Sequence, residues 1–394
     1  MSDDAGRRRN VHPFPARMAP EIALAKIEGL TSLGAVVLDP MCGSGTVPRL
    51  ALQQDRQAIA SDVDPLAVMM TRTTCKPAWS KGLAARAKEI VRLAQLLDDS
   101  QPEWIASDPD SIRFVDYWFA LEQQRALRRL ARVLCGRPIS DDPLRVALSR
   151  LIVTKDGGAS LARDTSHSRP HRVRTESDFD VYAGFLRAAQ LVETLVVEIP
   201  TSRRASIRSV DARGLDFVRR SSVDLILTSP PYLNAIDYLR GHRMSLVWLG
   251  WKFSDLRSVR SESVGAERSL ATASGNVRAL AQLAIPRLEE LTPRNQHMVY
   301  RFTRDVERLC RSFARVTKRG GHLVFVVADS QLKGVPVSNS YLCQLSAVRA
   351  GFHLEETVAR TLPSQHRYLP PPDGGAGAFA ARMREERILT FIRS

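Results

Sequence analysis

Short apolar runs that end in a polar or acidic residue recur along this chain, and they predict the strands of a parallel sheet. Val223 to Leu227 is almost continuously apolar, as expected for a strand that is buried on both faces. Open α/β sheets bind their ligands at the carboxyl ends of such strands. The other strands predicted from this pattern are Ala35 to Asp39, Ile59 to Asp62, Ile207 to Asp211 and His322 to Val327.

The apolar spacing changes to a helical period between the second and third predicted strands. Gly82 to Leu97 and Phe114 to Leu134 have apolar residues at helical spacing, with arginines on the other face. Lys81 to Thr201 is therefore predicted to be a helical insertion. Its centre, Thr154 to Thr175, holds glycines, hydroxyl residues, histidines and arginines with little to bury. Such a stretch is typical of a disordered loop or of a loop that contacts nucleic acid.

The carboxyl-terminal part combines predicted helices with a closing pair of strands. Gly241 to Trp251 is predicted to be a core helix and Met298 to Val316 an amphipathic helix. A glycine turn at Lys318 to Gly321 is predicted to end the second of these helices. Phe352 to Thr361 and Arg387 to Ile392 are predicted to pair as the final strands, joined by a loop rich in proline and glycine.

Length and charge narrow the range of functions. The chain has 394 residues, of which 44% are hydrophobic, enough for a full core in one large domain or two moderate ones. Lys and Arg outnumber Asp and Glu by 57 to 42, which gives a net charge of +15 and favours a polyanionic partner, with nucleic acid first. The alternative is a basic protein whose arginines are simply solvated.

Cysteine spacing and hydropathy exclude further classes. The histidines at positions 167 and 171 have no neighbouring thiolate or second carboxylate, so no metal site is expected. No run approaches the ~18 apolar residues of a membrane span, and the opening segment has no apolar core. We therefore expect a protein of the reducing cytosol. The cysteines lie too far apart for a zinc knuckle or a disulfide framework, at Cys42, Cys75, Cys135, Cys310 and Cys343.

Residues 35–46, AVVLDPMCGSGT, join a predicted strand to a predicted helix through a loop with two glycines. Gly43 and Gly45 let the backbone approach a ligand closely, and the helix that follows offers free N–H groups at its start. The loop lacks the lysine-threonine ending of a phosphate loop and the third glycine of a dinucleotide site. Asp39 places a negative charge beside it, which repels phosphate and attracts a ligand with an ammonium group.

Acidic residues also end the next two predicted strands. Asp62 follows Asp39 at a separation of the kind that places an acid on a ribose hydroxyl pair in nucleoside-binding units. Asp64 is predicted to cap the helix that begins at Pro65. Asp211 ends the third strand and can accept a hydrogen bond from an adenine amino group.

The turn Ser229-Pro230-Pro231-Tyr232 follows the strand that begins at Val223. Its two prolines fix φ and remove two N–H donors, so the carbonyls before them have no local partner. Ser229 and a backbone carbonyl can accept hydrogen bonds from an amine, while Tyr232 stacks on a ring. This combination suits a planar heterocycle that carries an amino group. The alternative is a stiff loop with a packing tyrosine.

The segments DPMCGSGT and TSPPY together resemble the S-adenosylmethionine-dependent amino-methyltransferases of DNA, which methylate cytosine at N4 or adenine at N6. Serine at the first position of the turn is usual in the cytosine-N4 group. The segment HPFPARM resembles the amino-terminal segment of that family, although Arg17 and Met18 stand where lysine and phenylalanine are commoner. The resemblance covers residues 10–75 and 205–394. It implies an α/β, Rossmann-like methyltransferase fold, a mostly parallel sheet with an antiparallel final strand, and a helical insertion.

The resemblance also implies roles for individual residues. The turn that holds the flipped base, and is therefore catalytic, would be Ser229, Pro230, Pro231 and Tyr232. No covalent nucleophile is needed, whereas a carbon-5 cytosine methylase would need a cysteine beside this turn, and none occurs between positions 135 and 310. The cofactor S-adenosyl-L-methionine would contact His12, Pro13, Asp39, Pro40, Gly43, Gly45, Thr46, Asp62 and Asp211.

The expected organisation follows from the insertion. Residues 1–80 form an amino-terminal arm and the first part of a methyltransferase domain, 81–201 a helical region that is a candidate for contacting DNA, and 202–394 the second part. The expected partner is double-stranded DNA with a flipped target base, near the nucleoid in a prokaryotic cytoplasm, together with a restriction or defence partner and without a membrane. Residues 257–284 are a second region for reading DNA. Phosphate contacts are expected from Arg163, Ser168, Arg169, His171 and Arg172.

Three alternatives stay open beside methylation of cytosine N4. They are adenine-N6 methylation of DNA, methylation of an RNA base, and a non-catalytic DNA-binding relative. An attached RNA-binding module would favour RNA, and the sequence shows no such module. Intact Asp39, Gly43, Gly45 and Ser229 argue against a loss of catalysis.

Overall fold

The structure is a computed structural model, and it describes most of the chain. Seven parallel and antiparallel strands of the described part form the main sheet, and two short hairpins lie outside it. The described residues are 11–13, 18–154, 157–163, 170–199, 204–233, 238–264, 273–361 and 385–394. The strands are β1 (Val36–Asp39), β2 (Gln57–Asp62), β3 (Ala162–Arg163), β4 (His171–Arg172), β5 (Ala205–Ser209), β6 (Val223–Thr228), β7 (Thr317–Val327), β8 (Ser330–Leu332), β9 (Val335–Val337), β10 (Phe352–Thr361) and β11 (Glu385–Arg393).

The order of strands in the main sheet is β10-β11-β7-β6-β1-β2-β5. The five strands from β7 to β5 run parallel, whereas β11 is antiparallel to both β7 and β10. The α/β fold with a mostly parallel sheet and an antiparallel final strand is thereby confirmed. β1 and β6 are neighbours near the centre of the sheet, so the loops at their carboxyl ends emerge side by side.

Successive residues of each central strand face opposite sides of the sheet, and each side has its own apolar layer. Val37 and Leu225 belong to one apolar cluster, whereas the next residues, Leu38 and Ile226, belong to another. Because these strands are covered on both sides, they are almost continuously apolar, as the sequence predicted. The first layer contains α1 (Pro20–Leu30), α2 (Thr46–Gln53) and α3 (Pro65–Cys75), and the second contains α12 (Gly275–Ala284), α13 (Pro293–Val316) and α14 (Asn339–Arg349).

The predicted insertion is helical, and its core continues into other parts of the chain. Leu66 and Met70 of α3 and Trp248 pack in the same apolar cluster as the insertion helices. The division into three regions remains a prediction, because this shared core crosses both of its boundaries. The helices are α4 (Leu83–Gln95), α5 (Glu103–Ala106), α6 (Pro109–Trp118), α7 (Leu121–Cys135), α8 (Asp142–Arg150) and α9 (Val181–Leu195), followed after residues 229–232 by α10 (Tyr238–Leu246) and α11 (Phe253–Glu262).

Single 3-10 turns complete the description of the backbone. They lie at Pro77–Ser80, Ile139–Asp141, Val247–Leu249 and Leu288–Glu290. None of the helices in the described part is both long and apolar enough to cross a bilayer.

One secondary-structure prediction was wrong. Lys318 to Gly321 was expected to be a glycine turn between α13 and a strand, but β7 begins directly at Thr317. Gly320 has φ of 72°, and the pairing of β6 with β7 shifts register at this point, between Val223 and Leu225. The glycine therefore accommodates a bulge within the strand instead of a turn before it.

Candidate active site

The glycine loop, residues 40–46, and the base turn, residues 229–232, follow two neighbouring strands whose last residues are joined by a hydrogen bond. Thr228 ends β6 and donates its hydroxyl to Asp39 Oδ1 of β1 at 2.9 Å. Both side chains are buried. Since the loop begins one residue after Asp39 and the turn one residue after Thr228, this bond fixes the starting points of the two segments against each other. The sequence did not single out Thr228.

Carboxylates organise the glycine loop. Asp39 Oδ1 also accepts the N–H of Met41 at 3.2 Å, and Asp62 Oδ2 accepts the N–H of Gly43 at 2.9 Å. From the other side, Thr71 of α3 donates its hydroxyl to the Gly43 carbonyl at 3.2 Å. The N–H and the carbonyl of Gly43 are therefore both hydrogen-bonded. Asp39 and Asp62 lie at the same edge of the sheet.

Gly45 is required by packing. Its φ is 81°, in the left-handed region, and an added Cβ would lie 2.7 Å from Thr74 Oγ1 and 3.0 Å from the Cα of Thr71. The bare side of Gly45 faces α3, and the contact of Gly45 with a cofactor stays a prediction. Helix α2 begins at the next residue, Thr46, with Gly45 as its N-cap.

Burial raises the pKa of both Asp39 and Asp62. Desolvation raises the pKa of Asp39 to about 7, opposed by the hydrogen bonds from Thr228 and Met41. Desolvation, with repulsion from Asp64, raises the pKa of Asp62 to about 6. A cationic ligand beside them would relieve this cost. S-adenosylmethionine carries an ammonium group and a sulfonium charge, so this donor set fits it.

The amino-terminal segment lies beside the glycine loop, where the sequence placed its cofactor contacts. His12 is buried and forms a 2.7 Å hydrogen bond through Nε2 with Ser149 of α8. Pro13 is half-buried. A narrow cavity of about 10 Å³ separates this segment from the loop and from α3, and its lining is Val11, His12, Ser44, Thr46, Arg49, Met70 and Thr74.

A second buried histidine connects α3 to the helix after the base turn. Asp64 caps α3 by accepting the Leu66 N–H at 2.9 Å, as predicted, and its other oxygen bonds to Nδ1 of His242 on α10. The rings of His242 and His12 meet edge to face, with centroids 6.1 Å apart. No local pattern marks His242, because its partner Asp64 lies 178 residues earlier in the chain.

Asp211 lies two residues beyond β5 and is engaged by an arginine that the sequence did not indicate. Arg213 Nε lies 3.0 Å from each carboxylate oxygen of Asp211. The same guanidinium donates through Nη1 to Asp305 of α13 at 2.8 Å. The two carboxylates raise the pKa of Arg213 above its usual value, although burial opposes them. Contact of Asp211 with adenine stays a prediction.

The base turn is partly exposed at the end of β6. Pro230 is buried, whereas Ser229, Pro231 and Tyr232 are half-buried, and Tyr232 packs against the apolar layer of α12 to α14. Within the described part of the chain, neither the Ser229 hydroxyl nor the carbonyls of Ser229 and Pro230 form a hydrogen bond. These acceptors are consistent with the predicted binding of an amine.

No activated thiol lies in the glycine loop. Cys42 is buried and accepts a hydrogen bond from the Thr71 hydroxyl at 3.2 Å. Desolvation, with the charges of Asp62 and Asp39, raises the pKa of this thiol well above its usual value. Cys42 therefore stays protonated and is a poor nucleophile.

Three of the five residues proposed to contact DNA lie on one small hairpin. β3 and β4 pair antiparallel, with Arg163 opposite His171 and Ala162 opposite Arg172. Arg163, His171 and Arg172 are exposed, and the Arg172 guanidinium lies 4.8 Å from the ring centroid of Tyr117. The other two, at positions 168 and 169, lie outside the described residues. Contact with DNA remains a prediction for all five.

Comparison with known proteins gives similarity to methyltransferases. The chain is 21% identical to the type II methyltransferase M.MvaI of Kocuria varians, over 96% of this chain and 89% of that protein. No protein-family model matches.

Two solved structures are similar at low TM-scores. A TehB-like S-adenosylmethionine-dependent methyltransferase from Corynebacterium glutamicum has a TM-score of 0.31 and 9% identity, over 94% of this chain and 88% of that one. A candidate DNA modification methylase from Thermus thermophilus has a TM-score of 0.23 and 19% identity, over 46% of this chain and 53% of that one.

Proposed function

We propose that this protein transfers a methyl group from S-adenosylmethionine to the exocyclic N4 amine of cytosine in DNA. The observation that carries the proposal is the hydrogen bond from Thr228 to Asp39. It joins the end of the strand before the base turn to the end of the strand before the glycine loop. A methyl donor on one side and an amine on the other would therefore lie within reach of each other, which is the main requirement of an in-line transfer.

The cofactor would be held at the glycine loop. When bound, S-adenosylmethionine supplies a methyl group on a positively charged sulfur. Asp39 would attract its cationic part, Asp62 the ribose hydroxyl pair and Asp211 the adenine amino group. The raised pKa values of Asp39 and Asp62 support this arrangement, because a bound cation would stabilise their ionised forms.

The target base would be held by the turn. Ser229 and one backbone carbonyl of the turn would accept the two N–H groups of the amine, which keeps its nitrogen lone pair out of conjugation with the ring. Tyr232 would stack on the extruded base. The proline rings restrict the backbone of the turn, so the acceptor oxygens are already oriented before the base binds.

DNA is the proposed substrate for two reasons. The similar protein M.MvaI is a type II methyltransferase, and the net charge of +15 favours a polyanion. Serine at position 229 is the reason for choosing cytosine. A restriction or defence partner, as the type II relative suggests, belongs to the same proposal.

Mass spectrometry of nucleosides tests the reaction. Unmethylated DNA is incubated with the protein and S-adenosylmethionine, digested and weighed. We expect N4-methylcytosine. N6-methyladenine alone would replace the proposed base, methylation of RNA alone would replace the substrate class, and no methylated product with any nucleic acid would leave the non-catalytic alternative. Calorimetric titration of the cofactor into the parent and into Gly43→Val separately tests the cofactor site, since the variant should not bind.

A further inference from the structure

Leu233, the residue after Tyr232, has both of its backbone polar groups bound by side chains from far along the chain. Its N–H donates to Asn339 Oδ1 at 3.2 Å, across 106 residues. Its carbonyl accepts the hydroxyl of Ser330 at 3.0 Å, across 97 residues. Leu233 itself is fully buried. The downstream end of the base turn is thus held by two side chains that the sequence did not indicate.

We propose that Asn339 and Ser330 form a clamp that positions Tyr232 for stacking on the target base, an inference that rests on the proposed function. Asn339 is fully buried at the first position of α14, so it is out of reach of substrate. It is a positioning residue that acts through Leu233. Ser330 begins β8, directly beyond the carboxyl end of β7.

The amide of Asn339 can bind in only one orientation. Its Nδ2 donates to the carbonyl of Ala328 at 3.0 Å and to the Ser330 hydroxyl at 2.9 Å, while its oxygen accepts from Leu233. Ser330 in turn donates to Leu233, so the two side chains and the turn form a closed ring of hydrogen bonds. Because Ala328 follows β7 directly, the ring fastens the turn to the strand beside β6.

The base turn is consequently fixed at both ends. Thr228 anchors the upstream end on Asp39, which also organises the glycine loop, and the clamp anchors the downstream end on β7. The two prolines lie between these anchors. The distance from Tyr232 to the cofactor site is thereby set by two independent attachments. Loss of the downstream attachment would leave the cofactor site intact and displace the stacking ring.

Steady-state kinetics with DNA and separate cofactor titration test the clamp. Since a displacement of ~1 Å in a positioned group can cost about 100-fold in rate, Asn339→Ala should lower kcat by about 10- to 100-fold and leave the Kd of S-adenosylmethionine unchanged. Ser330→Ala should lower kcat in the same way, and Ser330→Thr, which keeps the hydroxyl, should restore it. The matched control is Ser338→Ala, which loses the bond from Ser338 to Asp329 at 3.3 Å but nothing at the turn.

Hydrogen exchange at the Leu233 amide tests the clamp without any methyl transfer. Exchange should be faster in Asn339→Ala than in the parent and unchanged in Ser338→Ala. If the parent methylates no cytosine, the proposed function fails, and the exchange rates still decide the clamp. Parental exchange and parental kcat in Asn339→Ala would overturn the clamp, as would equal losses of kcat and cofactor affinity. If Asn339→Ala does not fold, Ser330→Ala against Ser330→Thr decides.

Discussion

The glycine loop and the base turn lie on neighbouring strands, yet they are built in opposite ways. The backbone of the loop is itself hydrogen-bonded, because Asp39 and Asp62 accept the N–H groups of Met41 and Gly43. The turn is anchored through the residues that flank it, Thr228 before it and Leu233 after it. Two prolines supply the stiffness that hydrogen bonds supply in the loop.

This difference matches the two ligands that we propose. A cofactor with a permanent positive charge suits a site whose buried carboxylates are already in place and gain by ionising beside it. An extruded base has an amine that donates hydrogen bonds and therefore needs acceptors. A turn whose carbonyls already accepted internal hydrogen bonds would have no acceptor left for this amine. Preorganisation is therefore reached by hydrogen bonding in one segment and by covalent ring constraint in the other.

Removal of the Ser229 hydroxyl should have the largest effect. Ser229→Ala should lower the rate of methyl transfer by on the order of 100-fold, as does the loss of one preorganised hydrogen bond at a reacting centre. The affinity for S-adenosylmethionine should be unchanged, since Ser229 belongs to the base turn and not to the glycine loop.

The control is Ser222→Ala, at the opposite end of β6, where the Ser222 hydroxyl donates to the Arg219 carbonyl at 2.6 Å. Single-turnover rates and cofactor titration are measured for both variants. A Ser229→Ala protein that keeps more than half of the parental rate would contradict the role of the turn.

Addition of a methyl group at Gly45 should displace the glycine loop. Gly45→Ala should destabilise the fold by about 1–3 kcal/mol through overpacking against Thr71 and Thr74, and the displaced loop should bind S-adenosylmethionine at least 10-fold more weakly. Gly34→Ala is the matched control, because Gly34 has φ of 79° and nothing within 4 Å of an added Cβ.

Urea unfolding and calorimetry measure the two effects. If both variants lose the same stability and neither loses cofactor affinity, backbone strain alone explains the losses, and the loop is not a close-packed cofactor site.

The strands and the adjacency of the two motifs were predictable from sequence. Apolar runs of four to six residues indicate strands that are buried on both sheet faces. The strands predicted from these runs were confirmed as β1, β2, β6 and β7. That the loop and the turn lie together follows from parallel strands whose carboxyl ends meet at one edge. The closing pair of strands, β10 and β11, was also confirmed. It was predictable because a stretch rich in proline and glycine separates the two segments in the sequence.

The rest depended on contacts between residues far apart in the chain. Arg213 on Asp305, His242 on Asp64 and Thr228 on Asp39 are polar pairs that no local pattern marks. The error at Gly320 has a local cause, because a glycine after a helix predicts a turn and a bulge equally well. The packing role of Gly45 was likewise hidden, since the neighbour it approaches belongs to α3.

The buried carboxylate beside the glycine loop should make the stability of the protein depend on pH, whereas the base turn has no such group. The folded pKa of Asp39 is about 7, above its unfolded value of 3.8. Between these values the unfolded chain has lost the proton that the folded protein keeps, so stability should fall as pH rises, by about 1.4 kcal/mol per pH unit. Asp39→Asn should remove this contribution.

Urea unfolding at several pH values between 4 and 7 measures the slope, with Asp178→Asn at an exposed position as the control. Cofactor binding should show the opposite dependence. The cation needs Asp39 ionised, so affinity should rise towards pH 7 and binding should release protons. Identical pH slopes for the parent and Asp39→Asn would mean that Asp39 is already ionised in the folded protein.

The exposed hairpin of β3 and β4 should give the smallest effect, because it is proposed to touch only phosphates. Arg163→Ala and Arg172→Ala should each reduce the slope of log affinity for DNA against log salt by about 1. The loss should be alike for different DNA sequences, since phosphate contacts carry no base information. Catalysis with saturating DNA should be unchanged, because neither arginine belongs to the loop or the turn.

Arg319→Ala provides the contrast for these two variants. Arg319 is exposed near the start of β7, at the sheet edge opposite to the base turn, and has the same charge. If DNA lies over the carboxyl edge of the sheet, only the hairpin arginines should change the salt dependence, although all three variants lose one positive charge. Equal slopes for all three would show that net charge alone attracts DNA. A larger change with Arg319→Ala would place the DNA on the other side of the molecule from the proposed site.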